Sequence, residues 1–186
     1  LGWLVGLFAT WTVSAEENFS QIPARSGPDW LASAVIYEVF PRAFSKEGNL
    51  AGVTHRLAEI KNLGADVVWL MPIHPTGEKA KPGPDGRPYA VRDLIHLVET
   101  AHGLGLKVIL DLVPNHTAWD AEWMKDSSLY RKNSLGEVMH PQPAWKDVAA
   151  LDYTQPKTRQ AMIEVMRYWL KEAKVDGFRC DAACFV

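Results

Sequence analysis

Arg179 and Asp181 stand two residues apart in the final stretch, Val175-Asp176-Gly177-Phe178-Arg179-Cys180-Asp181-Ala182-Ala183-Cys184-Phe185-Val186, directly after a helical segment. A short apolar run in that position reads as a buried parallel strand, whose side chains alternate faces with period two. Arg179 and Asp181 then share one face, while Phe178 and Cys180 share the other, where Cys180 reads as a small buried apolar residue. A guanidinium beside a carboxylate favours the ionised form. A bare carboxylate at the C-terminal end of a parallel strand is the group a barrel enzyme would use as nucleophile. An ion pair that only closes the strand end is the other reading. Earlier in the chain, Asp111 shares a face with Val113 and Asn115 at the end of another apolar run, and His116 follows as a residue that could cap that strand.

The elements that must position these groups are legible from periodicity and punctuation. Residues 34–40 (Ala-Val-Ile-Tyr-Glu-Val-Phe), 67–71 (Val-Val-Trp-Leu-Met) and 107–113 (Lys-Val-Ile-Leu-Asp-Leu-Val) are apolar strands ended by Pro41, Pro72 and Pro114. Between them Leu50, Val53, Leu57 and Ile60 recur at helical spacing up to Gly64, and Leu94, Leu97, Val98 and Ala101 do so up to Gly103. After Pro156, the residues Met162, Val165, Met166, Trp169, Leu170 and Ala173 form one apolar stripe leading into the final strand. Strands alternating with helices predict parallel βα units with both sheet faces covered. The connection from Pro114 to Gln155 far exceeds the usual loop of about 2–6 residues. It carries Trp119, Trp123, Tyr130, Trp145 and Tyr153 and reads as a packed excursion at the ligand-binding end of the sheet.

Composition narrows the classes. A net charge of −2 offers no basic field for nucleic acid. The 2 cysteines, Cys180 and Cys184, have three residues between them and support neither a disulfide framework nor a zinc site. A dinucleotide fold would place a glycine fingerprint after its first strand, whereas Gly103-Leu104-Gly105 precedes a strand and lacks the third glycine. The 8 tryptophans suit a core, and they also suit flat, weakly charged ligands such as sugars.

The first residues, Leu1 to Thr12, are apolar and nearly uncharged, and Val13-Ser14-Ala15 precedes Glu16-Glu17. This pattern reads as a signal peptide over 1–15 with its beginning truncated, and so as export to a secreted or periplasmic location. An apolar first helix is the alternative. The run is too short for a stable membrane span of about 20 residues. A Pro- and Gly-bearing linker follows over 16–30, then a domain over 31–186 with an inserted subdomain over about 114–155. Asn18-Phe19-Ser20 and Asn115-His116-Thr117 fit the glycosylation pattern and carry little weight.

Together the segments resemble one family. Asp111-Leu112-Val113-Pro114-Asn115-His116 and Gly177-Phe178-Arg179-Cys180-Asp181 are similar to the first and second signature regions of the α-amylase family of glycoside hydrolases, family thirteen. The stretch from Val35 to Phe44 resembles the family's first barrel strand, that from Val68 to Ile73 its second, and Leu151-Asp152 a short motif of its small inserted domain. The resemblance implies an α/β fold of the (β/α)8 TIM-barrel type, of which the first four βα units are present. It also implies retaining cleavage of α-glucosidic bonds in starch-like glucans or maltooligosaccharides. By that resemblance Asp181 is the nucleophile and Arg179 orients it. His116 hydrogen-bonds the sugar, Tyr89 stacks on it, and Asp111 braces the site. Asn115 stands where many members place a structural calcium ligand, although calcium takes about 6–8 oxygen ligands. A catalytically inactive binding or partner protein of the same family is the rival reading.

Two departures stand out. The segment between Tyr89 and Leu94 is shorter than the family's. The acid/base Glu, which the family takes from the next strand, would lie beyond Val186. Retaining chemistry needs that second carboxyl about 5–5.5 Å from the nucleophile. The expectation is therefore that this polypeptide alone is inactive, and that its bare strand edges lead it to aggregate or dimerise.

Overall fold

A computed structural model of the chain describes residue 23 and residues 26–73 and 91–186. The chain divides into two units, Leu1–Ser33 and Ala34–Val186. In the first, the described residues include one 3₁₀ turn, Asp29–Leu31, closed by the Leu31 N–H donating to the Pro28 carbonyl at 2.9 Å.

The second unit is built on four parallel strands, β1 (Ile36–Val39), β2 (Val67–Leu70), β3 (Lys107–Leu112) and β6 (Gly177–Cys180), in the order β1-β2-β3-β6. The prolines behave as the sequence predicts. Pro41 ends β1 because it has no N–H for the ladder, and its fixed φ opens the short helix α1 (Pro41–Phe44). Helix α4 (Val91–Gly103) lies between β2 and β3, and α5 (Pro156–Tyr168) with a π-helical turn (Trp169–Ala173) lies before β6. Lys174, at φ 54°, ends that turn in the left-handed region.

The first amphipathic stretch is two helices rather than one, α2 (Leu50–His55) and α3 (Leu57–Asn62). Asn49 caps α2, its Oδ1 accepting from the Gly52 N–H at 3.0 Å. Near the end of α2 the Thr54 hydroxyl donates back to the Leu50 carbonyl at 2.8 Å, a contact that bends helices. Arg56 then leaves helical geometry at φ −107° and ψ 6°, and its guanidinium donates to the Phe44 carbonyl (2.6 Å) and to Glu59 (2.8 Å).

The sheet has two unlike faces. One carries Val68, Leu70, Val108 and Leu110, packed with Leu50, Val53, Leu57 and Ile60 of α2–α3 and with Leu94, Leu97, Val98 and Ala101 of α4. All of these are buried, and each fully buried aliphatic side chain contributes about 1.5–3 kcal/mol. In the opposite phase of the strands stand Glu38, Trp69, Ile109, Asp111 and Arg179. Among the described residues core helices lie on one face only, not on both as the alternation predicts, which distinguishes this sheet from a doubly wound one.

Two aspartates clip strand entrances. Asp66, before β2, accepts from the Val35 N–H at 3.0 Å. Asp176, before β6, accepts from the Val108 N–H (2.9 Å), from His102 Nε2 (2.8 Å) and from Lys107 Nζ (2.9 Å).

The excursion has its own small sheet, β4 (His116–Ala118) antiparallel to β5 (Val148–Ala150), with His116 opposite Ala150. Beneath it Leu112, Leu129, Tyr130, Ala149, Leu151 and Met162 form a second core cluster, flanked by Trp119, Trp123 and Tyr153. Its buried polar groups are satisfied. The Tyr130 hydroxyl meets Thr117 Oγ1 at 2.8 Å, and the Tyr153 hydroxyl donates to the Pro114 carbonyl at 2.7 Å. Burial pushes the Tyr153 phenol up to about 12.

Three expectations need correction. The stripe on α5 is only partly covered: Met162 is buried, but Leu170 is exposed, as are Ile163 and Tyr168, because no described element packs over that side. The last strand is shorter than the apolar run, since Ala182 at φ 51° turns the chain into a 3₁₀ turn, Ala183–Phe185. Cys180 is exposed rather than buried, because β6 pairs with β3 alone and no described helix covers its last residue.

Candidate active site

Register brings the predicted residues together. Asp111 in β3 lies opposite Arg179 in β6, and Asp181 extends the ladder by one bond, its N–H donating to the Leu112 carbonyl at 2.8 Å. Period-two alternation places Arg179 and Asp181 on the face of Asp111. Arg179 Nη1 donates to Asp181 Oδ1 at 2.6 Å and to Asp111 Oδ2 at 3.0 Å, so one guanidinium nitrogen joins both carboxylates.

The two carboxylates differ in surroundings. The Asp181 side chain is 43% exposed, whereas that of Asp111 is 3% exposed. Burial pushes the Asp111 carboxyl above its usual range, against the pull of Arg179 and of the Trp69 N–H. Asp111 Oδ1 has no hydrogen-bond partner among the described residues. Arg179 is held charged: partial burial works against the cation, but Asp181 and Asp111 outweigh it. Asp111 is thus sealed behind the guanidinium, and Asp181 presents the accessible carboxylate of the pair.

His116 begins β4, and burial lowers its pKa, opposed by the charges of Asp147 and Asp181. Its Nδ1 lies 3.1 Å from Asn115 Oδ1. Asn115 is buried and its Nδ2 donates to the Phe185 carbonyl at 3.2 Å, which turns the amide oxygen toward the imidazole. An amide oxygen only accepts, so Nδ1 carries the proton and the neutral ring leaves Nε2 as an acceptor. Trp145 packs edge-on against both His116 (5.7 Å between centroids) and Phe185 (5.9 Å), and Arg131 donates to the Phe185 carbonyl at 3.2 Å. Tyr89 lies outside the described residues.

Asn115 is the residue at which the family resemblance expects calcium. The Asn115 oxygen is engaged by His116, and no three His, Cys, Asp or Glu side chains converge among the described residues. Burial of Asn115 also closes its glycosylation pattern in the folded chain.

Trp69, Trp145 and the Phe185 carbonyl escape a reading of spacing. Trp69 alone left a signal: it is the one side chain with a polar hydrogen in β2, in phase with the face that carries Asp111, and a buried indole N–H seeks a partner.

Four parallel strands backed by helices on one face, with a carboxylate–guanidinium–carboxylate row at their C-terminal ends, define part of a (β/α)8 barrel with a candidate catalytic mouth. The model of the α-amylase catalytic domain matches residues 19–147 and 139–186, and the chain belongs to the α-amylase family of glycoside hydrolases. "Alpha-amylase 3" of Dictyoglomus thermophilum is 32% identical over 188 residues, covering 83% of this chain and 37% of that protein. "Probable oligo-1,6-glucosidase 2" of Bacillus subtilis is 29% identical over 200 residues, covering 82% of this chain and 35% of its own length. The crystal structure of an alpha-amylase from Lactobacillus plantarum superposes with a TM-score of 0.75 at 38% identity, covering 81% of this chain and 38% of that one. The chain therefore spans little more than a third of the relatives it matches.

Proposed function

We propose that the protein carrying this chain is a retaining glycoside hydrolase of α-glucosidic bonds in starch-like glucans or maltooligosaccharides, with Asp181 as nucleophile. The observation that carries the reading is the asymmetric pair on Arg179: an accessible carboxylate aimed from a strand end and a sealed one behind it. In the first step an Asp181 oxygen bonds to the sugar C1 as the C1–O bond to the leaving group breaks, with a proton supplied to the leaving oxygen by an acid. Arg179 fixes the attacking carboxylate through Oδ1. His116 accepts a sugar hydroxyl at Nε2, and Tyr89 stacks on the same sugar. In the second step water cleaves the glycosyl ester and restores the α configuration.

Asp111 does not serve as the acid, because a side chain 3% exposed leaves no room for a departing sugar. By the family resemblance the acid is a glutamate of the next barrel strand, and turnover is expected of the full-length protein. The apolar start supports export, which would be checked by a mature N-terminus at Glu16.

The test is hydrolysis of maltooligosaccharides by the full-length protein, with Asp181→Asn beside it. Release of the α-anomer, reduced at least ~10³-fold in the variant, is expected. Equal activity in both sinks the assignment, and sugar binding without turnover in both establishes the inactive binding protein instead.

A further inference from the structure

Trp69 belongs to neither hydrophobic cluster. Its indole Nε1–H donates to Asp111 Oδ2 at 3.1 Å, the oxygen that also accepts from Arg179 Nη1. Its ring lies against the Arg179 guanidinium, whose central carbon is 4.9 Å from the ring centroid. One indole therefore touches both members of the pair standing behind Asp181.

A guanidinium nitrogen shared by two carboxylates can be drawn wholly to either. Asp111 is the stronger competitor on burial alone, and its Oδ1 lacks a partner among the described residues, which invites a two-point pairing with Arg179. The indole N–H neutralises part of the Asp111 charge at Oδ2, and the aromatic face opposes a tilt of the guanidinium plane. We infer that Trp69 is a positioning residue that keeps Arg179 directed at Asp181. It does not touch the sugar. The inference rests on Asp181 being the nucleophile.

The experiment is single-turnover fluoride release from α-glucosyl fluoride by the full-length protein. Asp181 forms the C1–O bond as the C1–F bond breaks and fluoride leaves, so the burst reports nucleophilic attack with little call on an acid. Trp69→Phe keeps a ring beneath the guanidinium and deletes the N–H. Its burst rate constant at saturating substrate should fall about tenfold with the half-saturating concentration unchanged, as for a lost second-layer partner. A burst as fast as in the unmutated protein overturns the inference, and so does a change confined to half-saturation. If Asp181→Asn also releases fluoride at the unmutated rate, the hydrolase reading fails and takes the inference with it. Where Trp69→Phe does not fold, the indole ¹⁵N–H resonance of Trp69 in the unmutated protein is followed through glycosylation of Asp181. A shift is expected, and an unmoved resonance overturns the role.

Discussion

Replacing Arg179 with methionine retains most of the apolar stem and removes the cation that Asp111 and Asp181 share. Asp181 is 43% exposed, so water takes over and the loss there is small, about 0–1 kcal/mol. Asp111 is 3% exposed and keeps only the Trp69 N–H. Breaking a buried pair costs about 3–5 kcal/mol, which the 41% exposure of Arg179 and the remaining indole bond reduce to about 2 kcal/mol at pH 7. The penalty must depend on pH. The folded Asp111 carboxyl already lies above its ordinary 3.8, and losing the cation raises it further. A raised carboxyl adds stability that is full below its unfolded value and lost as pH rises through the folded one. Urea unfolding of Arg179→Met should therefore show the deficit at pH 7 shrinking as pH falls toward 4. Adding Asp111→Asn should abolish most of it. A deficit of equal size at pH 4 and 7, or one that persists in the double variant, would refute the buried-charge argument.

Other outcomes follow from the same geometry. Asp176→Asn should destabilise by about 1–2 kcal/mol at pH 7, since a mostly buried acceptor of three donors loses its charge while Lys107 and His102 stay partly exposed. Burial works to raise the Asp176 pKa, but Lys107, the Val108 N–H and His102 hold it below 3.8. Its contribution is thus present above the unfolded value and lost as pH falls through the folded one, and denaturation curves of the two proteins should converge there. His116 should titrate below 6.5 by NMR, and Asp181→Asn should lower that midpoint further by removing a charge that favours the imidazolium. An unchanged midpoint would mean the two side chains do not share a site.

What the sequence disclosed follows the physics of each signal. Strand ends were marked by Pro41, Pro72 and Pro114, and helix faces by buried aliphatics at regular spacing, so three βα units and a fourth strand were legible. The shared face of Arg179 and Asp181 needed only strand alternation. Their junction with Asp111 needed the register between β3 and β6, which no local pattern encodes because the excursion and α5 intervene. The break at Arg56 was hidden because its cause is a side chain reaching Phe44, twelve residues back. The Asn115–Phe185 bond was hidden for the same reason over a longer separation. Cys180 was misread because apolar context predicts burial only where another element arrives to cover it.

The central claim, that Asp181 attacks the sugar, is tested most directly by trapping. The full-length protein is treated with 5-fluoro-α-glucosyl fluoride, digested, and its peptides are sequenced by mass spectrometry. The account predicts a single glycosyl ester on the peptide spanning Gly177 to Ala182, located on Asp181 and absent from Asp181→Asn. An ester on Asp111 or on another carboxylate, or no ester while substrate is still cleaved, would contradict it.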